Sequence, residues 1–270
     1  MGGSALAGKP TGFTESSGPQ VFQAARCGRR PYPFGKITSS GDQLAHKLFW
    51  APGRYSGMTR VLLLADLHGQ YGKLDSFLAL EPDLVIIAGD ITQFGPCEEA
   101  VELLERIEVP CFAVPGNCDP REILDSLEES NAVSLHGSTL TLGKLSLTGI
   151  GGSNRTPFGT PHELSEEEID ALITGATGRM EPNVHNILVC HAPPHGTLDR
   201  VGDARVGSTA LRKHLRKFDL VCCAHIHEAK GILEEDGVMV VNPGPASEGN
   251  CALITLGDEA RDIRVELLTV

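Results

Sequence analysis

A chain of 270 residues with 41 % hydrophobic residues and a net charge of −12 can bury one sizeable core. The charge divides near Met58: residues 1–57 carry seven Lys/Arg against Glu15 and Asp42, a net of +5, while the remainder carries 16 basic against 33 acidic residues, a net of −17. That acidic body disfavours nucleic-acid partners, and because the longest apolar run is only strand-length, no membrane-spanning helix is expected.

Residues 1–57 are rich in Gly, Ser and Pro and show no apolar period, so they are expected to form a poorly structured N-terminal arm, outside the functional protein if Met58 is the translation start. A regulatory or targeting arm is the alternative. Residues 58–270 are expected to form the functional domain. Its first segment, MTRVLLLADLHG, reads as a buried parallel-type strand.

Strands at 60–65, 84–88 and 111–114 then alternate with helices near 71–80, 97–107 and 120–129, which predicts an α/β protein with a parallel sheet. In CEEAVELLERI the residues Ala100, Val101, Leu104 and Ile107 form the apolar stripe. The second half is more hairpin-like, beginning with VSLHGSTLTLGKLSLTGIG. Ser165 with Glu168 three residues on predicts a capping box, and Asp236-Gly237 predicts a two-residue hairpin turn. Five of the eight cysteines (Cys111, Cys190, Cys222, Cys223 and Cys251) sit in apolar runs and read as core residues of a protein in a reducing, cytoplasmic setting.

The polar residues gather where apolar strands end. VLLLADLHG ends in Asp66 and His68, LVIIAGD in Asp90, CFAVPGNCD in Asn117, Cys118 and Asp119, NILVCH in His191, and LVCCAHIH in His225 and His227. In open α/β sheets that edge binds ligands. Asp66 with His68, and His225 with His227, are two residues apart, so extended backbone would project each pair to one side. Hard oxygen and borderline imidazole donors without an obligatory thiolate suit Mn, Fe or Zn better than calcium. Taken singly, each strand-end Asp or His reads as an ordinary turn or structural residue; five in series do not.

This series, D-x-H, G-D, G-N-x-D, a strand-end His and x-H-x-H, resembles the calcineurin-like metallophosphoesterase family over residues 59–257. The resemblance implies a four-layer α/β/β/α sandwich holding two divalent metal ions, Mn foremost with Fe, Zn, Ni or Co as alternatives. By that likeness Asp66, His68 and His227 hold one metal, Asn117, His191 and His225 the other, and Asp90 bridges them. A hydroxide shared by the metals then attacks phosphorus in line.

Two positions depart from the family pattern. Ala224 stands where a glycine is usual, and Cys118 stands where a histidine protonates the leaving oxygen. A thiol beside two cations can ionise, which would add negative charge where the histidine supplies positive. The G-N-C-D variant with Asn242-Pro243-Gly244 is similar to a compact prokaryotic branch with phosphodiesterase activity. Asp90, Asn117, Cys118 and Asp119 are therefore the catalytic candidates. The Gly/Pro-rich loop 149–164, which contains Arg155 and His162, reads either as a substrate-facing lid with Arg155 touching a phosphate oxygen or as an exposed connector, and His195 is a second candidate near the metals; His46, His136, His185 and His214 read as surface or structural.

The expected activity is that of a metal-dependent phosphohydrolase, a phosphodiesterase acting on a small phosphoester. A family nuclease, disfavoured by the −17 body, and a catalytically silent protein-interaction scaffold such as the retromer subunit of this fold are the alternatives. A homo-oligomer is compatible with everything in the sequence.

Overall fold

The computed structural model describes residues 58–178, 180 and 182–270. The expectations for residues 1–57, with His46, lie outside the described residues. In chain order the elements are β1 (Thr59–Leu64), α1 (Leu74–Leu78), β2 (Leu84–Ala88), α2 (Glu98–Glu105), β3 (Cys111–Val114), α3 (Ile123–Glu129), β4 (Ala132–Ser134), β5 (Ser138–Leu142) and β6 (Leu145–Ile150). There follow β7 (Ser153–Asn154), β8 (Glu163–Leu164), α4 (Glu166–Thr177), β9 (His185–Cys190), β10 (Arg200–Val201), β11 (Ala204–Arg205), α5 (Thr209–His214), β12 (Leu220–Cys222), β13 (Gly231–Glu235), β14 (Val238–Asn242), β15 (Asn250–Leu256) and β16 (Ile263–Thr269).

Two six-stranded mixed sheets carry the fold. One has the order β16-β15-β1-β2-β3-β4 and the other β13-β14-β12-β9-β6-β5. In each, the central strands run parallel and the antiparallel strands sit towards the edges. The near-continuous apolar run of β1 follows from burial on both faces. Alternation sends Val61 and Leu63 to a core shared with Ile187, Val189, Leu220 and Val241 of the other sheet. Leu62 and Leu64 face Phe77, Leu103, Leu104 and Ile123 of the first helical layer. On the far side Leu188, Val221 and Val240 pack under Ile169, Ile173 and Leu211. Three separate apolar interfaces therefore stack four layers as α/β/β/α. Truncating a buried leucine such as Leu63 to alanine in such a core costs about 2–5 kcal/mol.

Local signals hold where their chemistry is self-contained. Ser165 accepts from the Glu168 amide while Glu168 returns a bond to the Ser165 amide, which closes the capping box at the start of α4. Asp236 and Gly237 both take the left-handed conformation (φ 57° and 76°) between β13 and β14, the backbone that a tight hairpin turn with strand-matching twist requires. All seven described cysteines are free, and the five in apolar runs are buried. Among the described residues no helix is long and apolar enough to cross a membrane.

Two expectations shift. The stripe of α2 buries Leu103 where Val101 was expected, since Val101 turns to a partly exposed flank. VSLHGSTLTLGKLSLTGIG is not one hairpin unit: β4 joins the first sheet, and the chain crosses at Leu135–Gly137 to build the β5–β6 hairpin in the second. Apolar patterning marks strands but does not say which of two facing sheets each one joins.

Candidate metal centre

The site lies beyond the ends of β1, β2, β3, β9 and β12, where loops from both sheets meet. Backbone hydrogen bonds interlock these loops. The Asp66 and His68 amides donate to the carbonyls of Gly89 and Asp90 (3.0 and 2.9 Å), the Ser247 amide to Asp66 O (3.2 Å), and the Ala224 amide to His191 O (2.9 Å).

The paired side chains converge for a different reason from the one their spacing predicts. Strand β1 stops at Leu64 and β12 at Cys222, short of the ligands. Asp66, His68, Asp90 and His225 all adopt positive φ (53°, 47°, 48° and 70°). For non-glycine residues each such conformation costs about 1–2 kcal/mol, so four cluster here only because the surrounding packing over-determines them. Tight left-handed turns, not strand alternation, aim these side chains. Ala224 has no positive φ, so replacing the usual glycine there carries no backbone penalty. Gly89 and Gly116 are different. A Cβ on Gly89 would strike the His191 ring and the Gly116 backbone, and one on Gly116 would collide with Asp90, so the loops after β2 and β3 pack too closely for any side chain.

The geometry brings most of the expected ligands into close groups, with His225 in none of those within 4.8 Å among the described residues. Donor atoms of Asp66, His68 and His227 lie within 4.8 Å of one another, as do those of Asp66, Asp90 and His191. Asp90 faces both ways: Oδ2 is 3.8 Å from His68 Nε2 and Oδ1 is 3.5 Å from His191 Nε2. Asn117 Oδ1 is 2.9 Å from His191 Nε2, and the His225 ring lies 5.0 Å from that of His191. His191 turns Nδ1 to the Ala88 carbonyl at 2.8 Å, an anchor that leaves Nε2 for a ligand. Asp66 Oδ1 is buried with no hydrogen-bond partner among the described residues. A buried carboxylate oxygen without a donor, ringed by imidazoles, is a poor structural feature and a good cation ligand. The donor set fits divalent metal ions.

Electrostatics agree. Burial alone would lower the His191 pKa, but Asp90 and then Asp66 outweigh it and hold the ring at about 9. His225 is driven down to about 4 by burial and by His191. Asp90 resists burial and stays well below the usual carboxylate range through His191 and His68. The carboxylates of Asp90 and Asp66 thus favour positive charge at His191, while burial and His191 disfavour it at His225.

Cys118 is part of this arrangement, its thiol lying within 4.8 Å of donor atoms on His68 and Asp90. Its amide donates to Asp90 Oδ1 at 2.8 Å. Ionisation is not favoured by the protein's own field: burial and the Asp90 carboxylate both raise the thiol pKa well above its ordinary value. Asp119 has a different task. Its carboxylate accepts from the amides of Gly116 (2.8 Å), Ile91 (3.1 Å) and Thr92 (2.7 Å) and from the Thr92 hydroxyl (2.9 Å), which bolts the loop after β2 to the loop after β3. Burial and the neighbouring Asp90 raise its pKa to about 6.

His195 is in none of the donor groups that lie within 4.8 Å of one another among the described residues. Arg155 lines an open cleft of about 440 Å³ with Asn154, Ser165, Glu166 and Glu167, and no metal-ligand candidate lines that cleft. His195 is partly buried, and its amide donates to Ser208 O (2.9 Å). His162 is buried, donates its amide to Asn117 O (3.1 Å) and has a pKa lowered to about 4 by burial and the nearby His136. Sequence reasoning missed Thr160, whose hydroxyl accepts from Asn117 Nδ2 at 3.0 Å, and Glu163 behind it. Neither lies at a strand end after an apolar run, the signal that exposed the others.

Strand-end ligands around a four-layer sandwich define a metallophosphoesterase-type centre. Residues 59–229 match the family model described as calcineurin-like phosphoesterase, and the chain belongs to that family. An uncharacterized protein of Methanocaldococcus jannaschii is 36 % identical over 201 residues, covering 70 % of this chain and 89 % of its own. The "Probable glycerophosphodiester phosphodiesterase GpdQ" of Arcobacter nitrofigilis is 28 % identical over 185 residues, covering 62 % of this chain and 65 % of its own. Among solved structures, a Thermus thermophilus protein shares the fold with a TM-score of 0.60 at 18 % identity, covering 77 % of this chain and 98 % of its own. GAP50 of Plasmodium, described as an anchor in the inner membrane complex, does so at 0.51 and 14 %, covering 79 % and 85 %.

Proposed function

We propose that the protein is a dinuclear metal-dependent phosphodiesterase acting on a small phosphoester. The observation that carries this reading is Asp90, whose two oxygens face the imidazoles of His68 and His191 at 3.8 and 3.5 Å, as a carboxylate shared between two cations must. Asp66, His68 and His227 would hold one ion, and Asn117, His191 and His225 the other, with Mn²⁺ the expected pair and Fe, Zn, Ni or Co as substitutes. When bound, the cations supply Lewis acidity towards the phosphoryl oxygens and lower the pKa of water.

The chain's own groups narrow the substrate. Position 118 offers a thiol rather than an imidazolium, so nothing there adds positive charge beside a dianionic phosphate or takes over the proton donation that a histidine supplies to a poor leaving group. A diester, with one negative charge and no need for that extra cation, suits the site better than a monoester. The 28 % identical relative named as a glycerophosphodiester phosphodiesterase is consistent with that class.

The test is hydrolysis of bis(p-nitrophenyl) phosphate with Mn²⁺, with chelator, and in Asp90→Asn. Chelation should abolish turnover, and Asp90→Asn should lower metal occupancy and kcat/KM together by more than about 100-fold, beyond the loss typical of altering a partner outside the ligand set. Turnover that survives exhaustive chelation would refute the reading.

A further inference from the structure

We propose that Thr160 and Glu163 form a hydrogen-bond relay that decides which end of the Asn117 side-chain amide faces the metal centre, so that both are positioning residues. The inference rests on the dinuclear reading above. Asn117 Nδ2 donates to Thr160 Oγ1 at 3.0 Å, and Thr160 Oγ1 donates to Glu163 Oε1 at 2.8 Å. Glu163 is fixed in turn by the Thr160 amide (2.9 Å), the Thr156 amide (3.1 Å) and the Thr156 hydroxyl.

The logic is one of proton counting. The oxygen and nitrogen ends of an asparagine amide are nearly the same size, but only the oxygen binds a cation; the NH₂ end repels it. A threonine hydroxyl alone cannot choose between them, because it can donate to the oxygen or accept from the nitrogen. An ionised carboxylate only accepts. Glu163 therefore consumes the single Thr160 proton, Thr160 is left able only to accept, and the partner it accepts from is Asn117 Nδ2. Oδ1 is then directed to the opposite side, where it lies 2.9 Å from His191 Nε2. Burial works against the Glu163 charge, but hydrogen bonds from Thr156 and Thr160 outweigh it and hold the pKa at about 2, so the acceptor is present throughout the neutral range.

The backbone supports the same assignment. The His162 amide donates to Asn117 O and the Gly152 amide to Pro115 O, so the segment carrying Thr160 and Glu163 is tied to the Asn117 loop at two further points. A segment needed only to cover the site would not require an acceptor chain ending on one ligand's amide.

The experiment titrates wild type, Thr160→Val, Thr160→Ser, Glu163→Gln and Thr156→Val with Mn²⁺ by calorimetry, and records the Co²⁺ visible spectrum of each. Valine keeps the shape of threonine without its hydroxyl. Thr160→Val should weaken one of the two binding events about 10–100-fold, leave the other within about threefold, and alter the Co²⁺ bands of the affected ion alone. Thr160→Ser should return both constants to within about threefold, and Thr156→Val, which removes a clip on Glu163 but leaves the relay intact, should stay there too. Glu163→Gln, whose amide no longer dictates the direction of the Thr160 proton, should weaken the same event as Thr160→Val and decides the matter should that variant not fold. Two unchanged constants in Thr160→Val, or in Glu163→Gln if that variant must serve, overturn the relay. So does a serine variant as weak as valine. Wild type that binds fewer than two ions overturns the dinuclear reading and the relay with it, whereas wild type that binds two beside an unaffected Thr160→Val overturns the relay alone.

Discussion

On the inner side of the site His191 is fully buried, anchored through Nδ1 to Ala88 O, and Asn117 is held through Thr160. On the outer side the His68 and His227 side chains are 16 % and 42 % exposed, their Nε2 atoms are 3.4 Å apart, and His68 Nδ1 has no hydrogen-bond partner among the described residues. The same ligand chemistry is thus set to two degrees of rigidity. An inner position whose ligands are oriented before binding loses less freedom on taking up a cation, whereas an outer one open to water should release its ion more readily. Asp90, whose two oxygens face His68 and His191, would couple the two positions in the proposed dinuclear site.

The comparison can be broken first at its foundation. Asp119→Ala would leave the buried amides of Gly116, Ile91 and Thr92 without their acceptor, and should cost about 3 kcal/mol in urea unfolding. Because those amides align the loops that carry Asp90 and Asn117, the variant should also lose the inner ion before the outer one. A variant as stable as wild type would show that the carboxylate is dispensable to the loop junction.

A sharper probe uses small-molecule rescue. His227→Ala opens a gap to solvent and should regain at least about tenfold in diesterase activity when imidazole is added. His191→Ala leaves its gap in the buried wall under Ala88, and should regain less than about twofold. Equal rescue of both variants would erase the distinction between inner and outer positions.

Smaller effects are expected at Cys118. Cys118→His supplies a proton donor and a positive neighbour for a phosphomonoester. A well-placed general acid is worth roughly 10²–10⁴-fold, and a histidine without its own orienting partners should raise the monoesterase-to-diesterase ratio of kcat/KM by about tenfold, with no rise in Cys118→Ala. Equal ratios in wild type and both variants would make the thiol a bystander.

The smallest effect separates Glu163 by pH. Its folded-state pKa, about 2, lies below the ordinary 4.5, so the stability it contributes is complete above that ordinary value and is lost as pH falls from about 4.5 towards 2. The Tm difference between wild type and Glu163→Gln should be constant at about 1–3 °C above pH 5 and close through that acidic window. A gap that persists at pH 2.5 would assign the difference to packing rather than to charge.

The candidate ligand residues were legible in the sequence because each follows an apolar run that the core requires. Val61 to Leu64 must be a buried strand, and an apolar run that breaks off at Asp66, just past the strand, marks where polar chemistry begins. The G-D and G-N pairs were legible as well, although the reason for their glycines was not: it is the collision of the two loops with each other, with Asp90 and with His191, which only assembled sheets produce. The capping box and the Asp236-Gly237 turn could be read because their partners lie within three residues.

What the sequence by itself determined is therefore the set of donors and the sheet edge on which they stand, since strand patterning and strand-end chemistry are local. Tertiary structure alone decided how they are aimed and how firmly. The left-handed turns at Asp66, His68, Asp90 and His225 fall on residue types that tolerate that backbone without dictating it, and the choice of sheet for β4 and β5 depends on which face of a shared core each strand covers. Asp119 reads as a site residue yet clamps loops 27 and 28 residues away, while Thr160 and Glu163 read as loop polarity yet orient a ligand 43 residues before Thr160. Contacts of that span are set by how layers stack, and a linear pattern of polar and apolar residues does not encode the distance between two loops.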